Sequence, residues 1–298
     1  MQNGESRLIA QNTVDKNYLS LLYLICWAAM GPANFLGNGE LAMVIKRDFT
    51  YSPKGKNRPL HIWLPERYFD TDERYPVMYF FDGHNLFFNE DATYGKSWGL
   101  KAFLEAWPKE MIVVGIECGH EGCERLSEYL PYPTVGYFGQ FEPWGEKTME
   151  WIVHEVKPMI DREYRTMPFR ECTAIGGSSM GGIMSLYAAL HYNRWFSKAA
   201  CVSSAMGFCM EPLFEDLRSS AISPDTRVYL SWGTREAKKR DFNRADRSSP
   251  TYRNNKAVAD FLKKKKVAVM MECQVGGGHC EADWEKLVPT FMDFLWMA

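Results

Sequence analysis

The sequence of 298 residues has no strong charge imbalance and no long uninterrupted apolar run. Its net charge is −2 and its pI is about 6.3, so no global electric field favours binding to nucleic acid or to an acidic membrane surface. Internal repeats and low-complexity linkers are also lacking, and the eight cysteines are scattered rather than spaced as a disulfide framework. We therefore expect reduced thiols, no nucleic-acid partner, and a small-molecule or glycan partner.

The most apolar stretch of the chain, residues 19–30, is too short for a stable membrane span. As a signal peptide it is imperfect, because Glu5 and Asp15 dilute the positive segment that should precede the apolar one. Residues 1–39 are therefore treated as an N-terminal extension: a signal peptide, a packed helix and a non-native addition all remain open. Residues 40–298 are expected to form one domain, and a cytoplasmic location is favoured over secretion.

Short β-rich apolar runs alternate with longer segments of helical periodicity from residue 40 onwards. The predicted strands are 41–51, 60–64, 77–81, 111–117, 172–176, 199–203, 228–232 and 267–273. The predicted helices are 98–107, 146–164, 180–192, 212–219, 252–265 and 282–296. This alternation predicts an α/β fold with a mostly parallel central sheet of about eight strands, opened by an antiparallel hairpin, and helices on both faces. Its active site should lie beyond the carboxyl ends of the strands.

Two long irregular stretches, 118–145 and 234–255, interrupt the alternation. Long loops in a compact domain often build sites or lids, although the second stretch is equally compatible with a solvated surface loop. The first contains Cys118, His120 and Cys123, which are three possible zinc ligands. Because a structural zinc site needs four ligands, usually in two spaced pairs, the sequence predicts no metal.

The segment Gly177-Ser178-Ser179-Met180-Gly181 lies between a predicted strand and an alanine-rich predicted helix. It fits the G-x-S-x-G nucleophile elbow, in which small flanking residues allow a strained turn that exposes the serine hydroxyl. Ser178 does not fit, since Met180 rather than glycine would close its register. The alternative for Ser179 is a helix cap. The context predicts that Ser179 is a nucleophile of an α/β-hydrolase fold.

A serine nucleophile needs a base, and His279 is the best placed of the histidines. His61 lies in an opening strand, His154 lies within a helix, and His191 lies at the far end of the helix that follows the nucleophile. His120 precedes the serine, against the order of serine, acid and histidine in α/β-hydrolases. His279 lies between the last predicted strand and the last predicted helix, which is where this fold places its base. The alternative is a surface-loop histidine.

The acid that orients the base should follow a strand between the serine and the histidine. Glu236 does so in a glycine turn and is our prediction, with Asp241 and Asp246 in the same loop as alternatives. The oxyanion of the tetrahedral intermediate needs two backbone N–H donors. Met180, directly after the nucleophile, is expected to supply one, and His84, in a glycine turn after an early strand, the other. The His84 side chain is a less favoured candidate for the base.

These motifs together resemble the putative-esterase family, which includes feruloyl, acetyl-xylan and enterochelin-type esterases and, more distantly, mycolyltransferases. The resemblance covers roughly residues 41–296. It rests on Phe81-Asp-Gly-His-Asn-Leu-Phe, Ser97-Trp-Gly, Val114-Gly-Ile, Arg125 with Glu128-Tyr-Leu-Pro131, Gly177-Ser-Ser-Met-Gly-Gly182, Gly233-Thr-Arg-Glu236, and His279 with Trp284. It implies a triad of Ser179, Glu236 and His279, an oxyanion hole from the His84 and Met180 amides, and no cofactor. Some relatives carry aspartate at the acid position, or a weak or absent acid.

We expect hydrolysis of a carboxylic ester through an acyl-enzyme, with an acylated carbohydrate or a similar small ester as substrate. Trp98, Phe87 and Tyr132 are predicted to contact the substrate, although core packing is the commoner fate of aromatic residues. One alternative is acyl transfer, in which a sugar hydroxyl replaces water. Another is a catalytically silent scaffold that binds glycans or partner proteins. The sequence predicts no particular oligomeric state.

Overall fold

The computed structural model describes residues 43–236 and 246–297. The prediction of an extension over residues 1–39 lies outside the described residues, as does Asp241. The described part of the N-terminal strand begins at Met43.

An eight-stranded sheet forms the centre of the described structure. Its strands are β1 Met43–Tyr51, β2 Lys56–Leu64, β3 Val77–Phe81, β4 Ile112–Ile116, β5 Thr173–Ser178, β6 Lys198–Val202, β7 Arg227–Gly233 and β8 Ala268–Gln274. Their spatial order is β1-β2-β4-β3-β5-β6-β7-β8. β2 pairs antiparallel with β1 and with β4, and all the other neighbours pair in parallel. The structure therefore confirms the α/β class, the opening hairpin and the predicted number of strands.

Helices follow most of the strands. They are α1 Leu100–Ala106, α2 Glu124–Glu128, α3 Gly145–Trp151, α4 Lys157–Glu163, α5 Met180–His191, α6 Met210–Ser219, α7 Pro250–Lys264, α8 Glu281–Trp284 and α9 Val288–Trp296. A π-helical segment, Ile152–Val156, joins α3 to α4, so the predicted helix 146–164 is nearly continuous. The stretch 118–145 is less irregular than predicted, because it contains α2 and a 3-10 turn at Gly136–Gln140.

Helix α7 begins two residues earlier than predicted. Pro250 occupies its first turn, where a missing N–H leaves no hydrogen bond unmade. Ser249 caps it by accepting a hydrogen bond of 3.1 Å from the Tyr252 amide. The second stretch predicted as irregular therefore ends at this cap.

Each face of the sheet packs against its own apolar core, as the alternation of side chains along a strand requires. Along β3, Tyr79 and Phe81 pack into one core together with Ile183 of α5. Met78 and Phe80, on the opposite face, pack into the other core with residues of α9. The helices thus cover both faces, as predicted, and the parallel strands β3 to β8 direct their carboxyl ends to one edge of the sheet.

Cysteine chemistry and membrane topology were also predicted. Within the described ranges every cysteine is a free thiol. No helix in residues 43–236 or 246–297 has both the length and the apolarity needed to cross a bilayer.

Candidate active site

Ser179 occupies a strained turn between β5 and α5. Its φ is 56° and its ψ is −116°, a region that residues other than glycine rarely adopt. The turn is held by hydrogen bonds of 3.0 Å from the Ser179 amide to Val202 O and from the Ala205 amide to Ser179 O. The Ser179 side chain makes no hydrogen bond that caps the helix. The geometry is thus that of an elbow with a partly exposed hydroxyl rather than that of a serine cap.

The glycines on both sides of Ser179 are required by close backbone approach. A Cβ on Gly177 would lie 2.9 Å from the carbonyl carbon of Gly181. A Cβ on Gly181 would lie 2.9 Å from the Cβ of Phe81 on the neighbouring strand β3. No side chain fits at either position without a shift of the backbone, so the sharp turn and the serine at its apex depend on these two glycines.

His279 and Glu236 meet at the carboxyl edge of the sheet. Glu236 follows β7, and His279 lies between β8 and α8. The Nδ1 atom of His279 is 3.4 Å from Glu236 Oε2, and the imidazole ring packs edge-on against Trp284 at a centroid distance of 5.0 Å. In unliganded sites, hydrogen bonds between catalytic groups are often long and shorten when the substrate binds. The structure thus brings together the acid and the base that the sequence predicted.

Glu236 is fixed by two donors to its other carboxylate oxygen. Ser203 Oγ donates to Oε1 at 2.7 Å, and the Gly233 amide donates to the same oxygen at 2.8 Å. Ser203 Oγ in turn accepts a hydrogen bond of 3.0 Å from Trp284 Nε1. With Oε1 saturated in this way, Oε2 is directed at His279. Sequence reasoning missed Ser203. Its only signal is its position directly after β6, since β6 is the neighbour of β7 and Glu236 follows β7.

The alternative acids are placed differently. Asp246 accepts hydrogen bonds from the amide and the hydroxyl of Ser248, at 2.8 and 2.6 Å, in the turn that leads into α7. Asp241 lies outside the described residues. Glu236 is therefore the carboxylate for which the structure shows contact with His279.

The two predicted oxyanion donors begin helical turns, where N–H groups lack intrahelical acceptors. Met180 is the first residue of α5. His84 lies in the 3-10 turn Gly83–Asn85. The first hydrogen bond of that turn is donated by the next residue, from the Asn85 amide to Asp82 O at 2.9 Å. Asp82 itself has a left-handed backbone with a φ of 57°. Both amides therefore lie at the edge of the sheet that carries Ser179.

Charged residues that the sequence did not single out for chemistry also lie at this edge. Arg125 donates two hydrogen bonds of 2.7 Å to the two oxygens of Asp82. Burial raises the pKa of the Asp82 carboxyl, but the Arg125 guanidinium outweighs burial, so the net pKa lies below the usual value. Glu281, two residues after His279, is only 4% exposed, and burial raises its pKa. The nearby Asp82 carboxylate raises the pKa of Glu281 further.

The three aromatic residues predicted to contact the substrate are buried. Trp98 packs against Trp284 at a centroid distance of 5.6 Å, Phe87 stacks on Trp63 at 6.4 Å, and Tyr132 packs edge-on against Tyr187 at 5.5 Å. The structure thus shows them as packing residues, and their contact with a substrate stays a prediction.

Three of the histidines judged less suitable as the base have acidic partners of their own. His61 is 2.6 Å from Glu117, His154 is 3.1 Å from Glu150, and His191 is 2.5 Å from Asp216.

A cavity of about 750 Å³ lies elsewhere on the described surface. Residues lining it include Pro76, Met111 and Cys172, each directly before a parallel strand. The cavity is thus at the amino edge of the sheet, opposite to Ser179, and is no part of the candidate active site.

Comparisons with known proteins bear on the family and the fold of the chain. A model of the family described as "Putative esterase" matches residues 52–294. The "Uncharacterized protein YbbA" of Bacillus subtilis (strain 168) is 27% identical over 191 residues, which are 63% of this chain and 72% of that protein.

Solved structures show the same fold. An IroE-like serine hydrolase from Shewanella oneidensis superposes with a TM-score of 0.65 at 20% identity, covering 85% of this chain and 79% of the other. The enterobactin esterase FES of Shigella flexneri, solved in the presence of enterobactin, superposes with a TM-score of 0.63 at 17% identity, covering 91% of this chain and 61% of the other. The match of the family model covers most of the chain. The chain therefore belongs to the putative esterase family and is an esterase with the α/β-hydrolase fold.

Proposed function

We propose that this esterase hydrolyses carboxylic esters through an acyl-enzyme formed on Ser179. The observation that carries the proposal is the 3.4 Å contact of His279 Nδ1 with Glu236, at the same edge of the sheet as the strained elbow of Ser179. A serine on such an elbow, followed in the chain by an acid and then a histidine, is the arrangement of an α/β-hydrolase triad.

In the proposed reaction, Ser179 Oγ attacks the ester carbonyl carbon while His279 Nε2 accepts the hydroxyl proton. The negative charge that develops on the carbonyl oxygen is stabilised by the backbone N–H groups of His84 and Met180. His279 then returns the proton to the leaving alcohol, and an ester bond to Ser179 remains. Water, deprotonated by His279, attacks this acyl-enzyme, which releases the carboxylic acid and restores the serine.

Glu236 sets the tautomer of the base in this mechanism. Its Oε2 faces Nδ1 of His279, so it favours the tautomer with the proton on Nδ1 and leaves a lone pair on Nε2 for the serine proton. The carboxylate can hold that position because Ser203 and the Gly233 amide bind the other oxygen. The carboxylate also stabilises the imidazolium that forms in each half of the reaction.

For the substrate, we propose an acylated carbohydrate or a similar small ester. Support comes from the structural neighbours, which include an enterobactin esterase solved with enterobactin and a ferulic acid esterase that superposes with a TM-score of 0.62 at 15% identity. One of these neighbours is an esterase of enterobactin and the other an esterase of ferulic acid.

A panel of feruloyl, acetyl-sugar, siderophore and short aryl esters tests both parts of the proposal. We expect hydrolysis of at least one sugar-linked or small aryl ester, and a fall in kcat of roughly 10⁴-fold or more in Ser179→Ala. Ser178→Ala is the matched control, because this neighbouring serine is buried at the end of β5 and has no role in the mechanism. Hydrolysis that survives in Ser179→Ala would contradict the acyl-enzyme. Product that carries the acyl group on an added sugar acceptor would instead indicate acyl transfer.

A further inference from the structure

A cluster of metal-ligating side chains lies beside the candidate active site. His84, Cys118 and His120 each place one potential ligand atom within 4.8 Å of the others. The sequence offered Cys118, His120 and Cys123 as possible ligands, and no metal was predicted there. In the structure, His84 rather than Cys123 is the third member of the cluster. His84 is 34 positions from Cys118 in the chain, so the two residues form no local spacing pattern in the sequence.

The three residues converge because two adjacent parallel strands end together. Phe81, at the end of β3, pairs with Ile116, at the end of β4, so the turn that carries His84 lies beside the loop that carries Cys118. The two backbones are in close contact, since a Cβ on Gly83 would lie 2.4 Å from the carbonyl carbon of Gly115. The arrangement is therefore built into the sheet.

His84 has a buried ring nitrogen without a partner. The residue is 6% exposed, and its Nε2 is 2.9 Å from Thr93 Oγ1. Its Nδ1 is buried and has no hydrogen-bond partner among the described residues. A buried polar atom without a partner costs about 1–3 kcal/mol, so native structures seldom leave one unless an ion or another group satisfies it. The imidazole rings of His84 and His120 are 4.8 Å apart between centroids.

His120 is oriented in the way that is typical of metal-binding histidines. Its Nε2 is 2.8 Å from Glu117 Oε2, and the other oxygen of Glu117 is 2.6 Å from His61 Nε2. A carboxylate on one ring nitrogen fixes the tautomer and makes the other nitrogen a better ligand. Nδ1 of His120 is then the nitrogen available to the cluster, as Nδ1 is in His84.

From these contacts we propose that His84, Cys118 and His120 bind one divalent transition-metal ion of the zinc class. Two imidazole nitrogens and one thiolate form a donor set that zinc and cobalt accept, with a fourth position left for water. Bond lengths of about 2.0–2.3 Å require donor atoms about 3.3–3.8 Å apart, so donor atoms that lie up to 4.8 Å apart move closer by at most about 1.5 Å when the ion binds. The Cys118 thiol loses its proton on coordination.

Such an ion would connect the turn that carries the proposed oxyanion donor to the loop after β4. It would satisfy His84 Nδ1 and restrict the movement of the His84 backbone. Metal binding does not depend on the esterase mechanism, because it is measured without substrate.

The test uses the full chain, stripped with a chelator and titrated with Co²⁺. We expect one ion per chain, with a thiolate-to-cobalt charge-transfer band in the near ultraviolet that Zn²⁺ abolishes by displacement. Cys118→Ser should remove the band, and His120→Gln should lower the affinity for Co²⁺ at least about 10-fold. Cys123→Ser is the matched control, an exposed cysteine in the same loop that is outside the cluster, and it should keep both band and affinity.

Three results would overturn the proposal: no charge-transfer band in the wild type, a band that persists in Cys118→Ser, or an affinity unchanged in His120→Gln. Because Cys118 is buried, its variant can lose stability. His120 is exposed on the surface, so His120→Gln keeps the fold and decides the matter if Cys118→Ser does not fold.

Discussion

Replacing Ser203 with alanine removes the hydroxyl that holds Glu236 in position. This hydroxyl donates to Glu236 at 2.7 Å and accepts from Trp284 Nε1 at 3.0 Å. A hydrogen bond to a charged group contributes about 1.5–3 kcal/mol, and a buried donor without a partner costs about 1–3 kcal/mol. The Gly233 amide still binds the same Glu236 oxygen at 2.8 Å, so the substitution removes only part of the stabilisation of this carboxylate. We expect the free energy of unfolding to fall by about 2 kcal/mol.

The same change should slow catalysis, because a carboxylate with one donor fewer orients His279 less well. We expect kcat to fall about 10-fold, equivalent to about 1.4 kcal/mol, with KM unchanged. The assay is steady-state hydrolysis of the best ester of the panel, with urea denaturation measured on the same protein.

Ser204→Ala is the matched control for Ser203→Ala. Its hydroxyl is buried and has no hydrogen-bond partner within residues 43–236 and 246–297, so removing it breaks no hydrogen bond there. Its kcat should stay within about twofold of the wild type. Equal kcat values in Ser203→Ala and Ser204→Ala, or a change in KM alone, would refute the role of Ser203 in positioning the acid.

Two further predictions concern the elbow and the buried ion pair. Gly177→Ala places a Cβ 2.9 Å from the backbone of Gly181, so we expect the free energy of unfolding, measured by urea denaturation, to fall by about 1–3 kcal/mol. Gly207→Ala is the control, because its Cβ approaches only a flexible side chain at 3.3 Å, and it should change the free energy of unfolding by less than about 0.5 kcal/mol. Arg125→Gln leaves the buried Asp82 without its cation and should lower the free energy of unfolding by roughly 2 kcal/mol at neutral pH. This loss is smaller than the one expected on breaking a fully buried ion pair, because Arg125 is 32% exposed. Since the pKa of Asp82 is lowered in the folded protein, the stability from this pair is present above the usual carboxyl pKa and is lost as the pH falls through the lowered one. The stability difference between wild type and Arg125→Gln should therefore narrow in acid, and a constant difference between neutral pH and about pH 3 would contradict this account.

The fold was predictable because the parallel strands, apart from the edge strand β8, are short apolar runs buried on both faces, as in Val77–Phe81. The elbow was predictable because the strain at Ser179 demands glycines at fixed spacing, which is a local signal. The contact between Glu236 and His279 followed from chain order, since in this fold both residues come after neighbouring strands. The local signals for the start of α7, a serine followed by proline, were present in the sequence and were missed.

Other parts of the site depend on which strands are neighbours in space. Ser203 reaches Glu236 because β6 lies beside β7, and His84 reaches Cys118 because β3 lies beside β4. No local pattern records these contacts. The substrate-contacting aromatic residues could not be predicted for a different reason. The sequence does not distinguish a ring that packs against another ring, such as Trp98 against Trp284, from a ring that lines a pocket.

The central claim is that Ser179 is the activated nucleophile, and covalent labelling tests it most directly. Folded protein is incubated with a fluorophosphonate, and the modified peptide is identified by mass spectrometry. We predict a single adduct on Ser179, absent in Ser179→Ala and formed much more slowly in His279→Ala, where the proposed base is missing. Folded wild-type protein that carries no adduct on Ser179, or that carries it on another serine, would contradict the account.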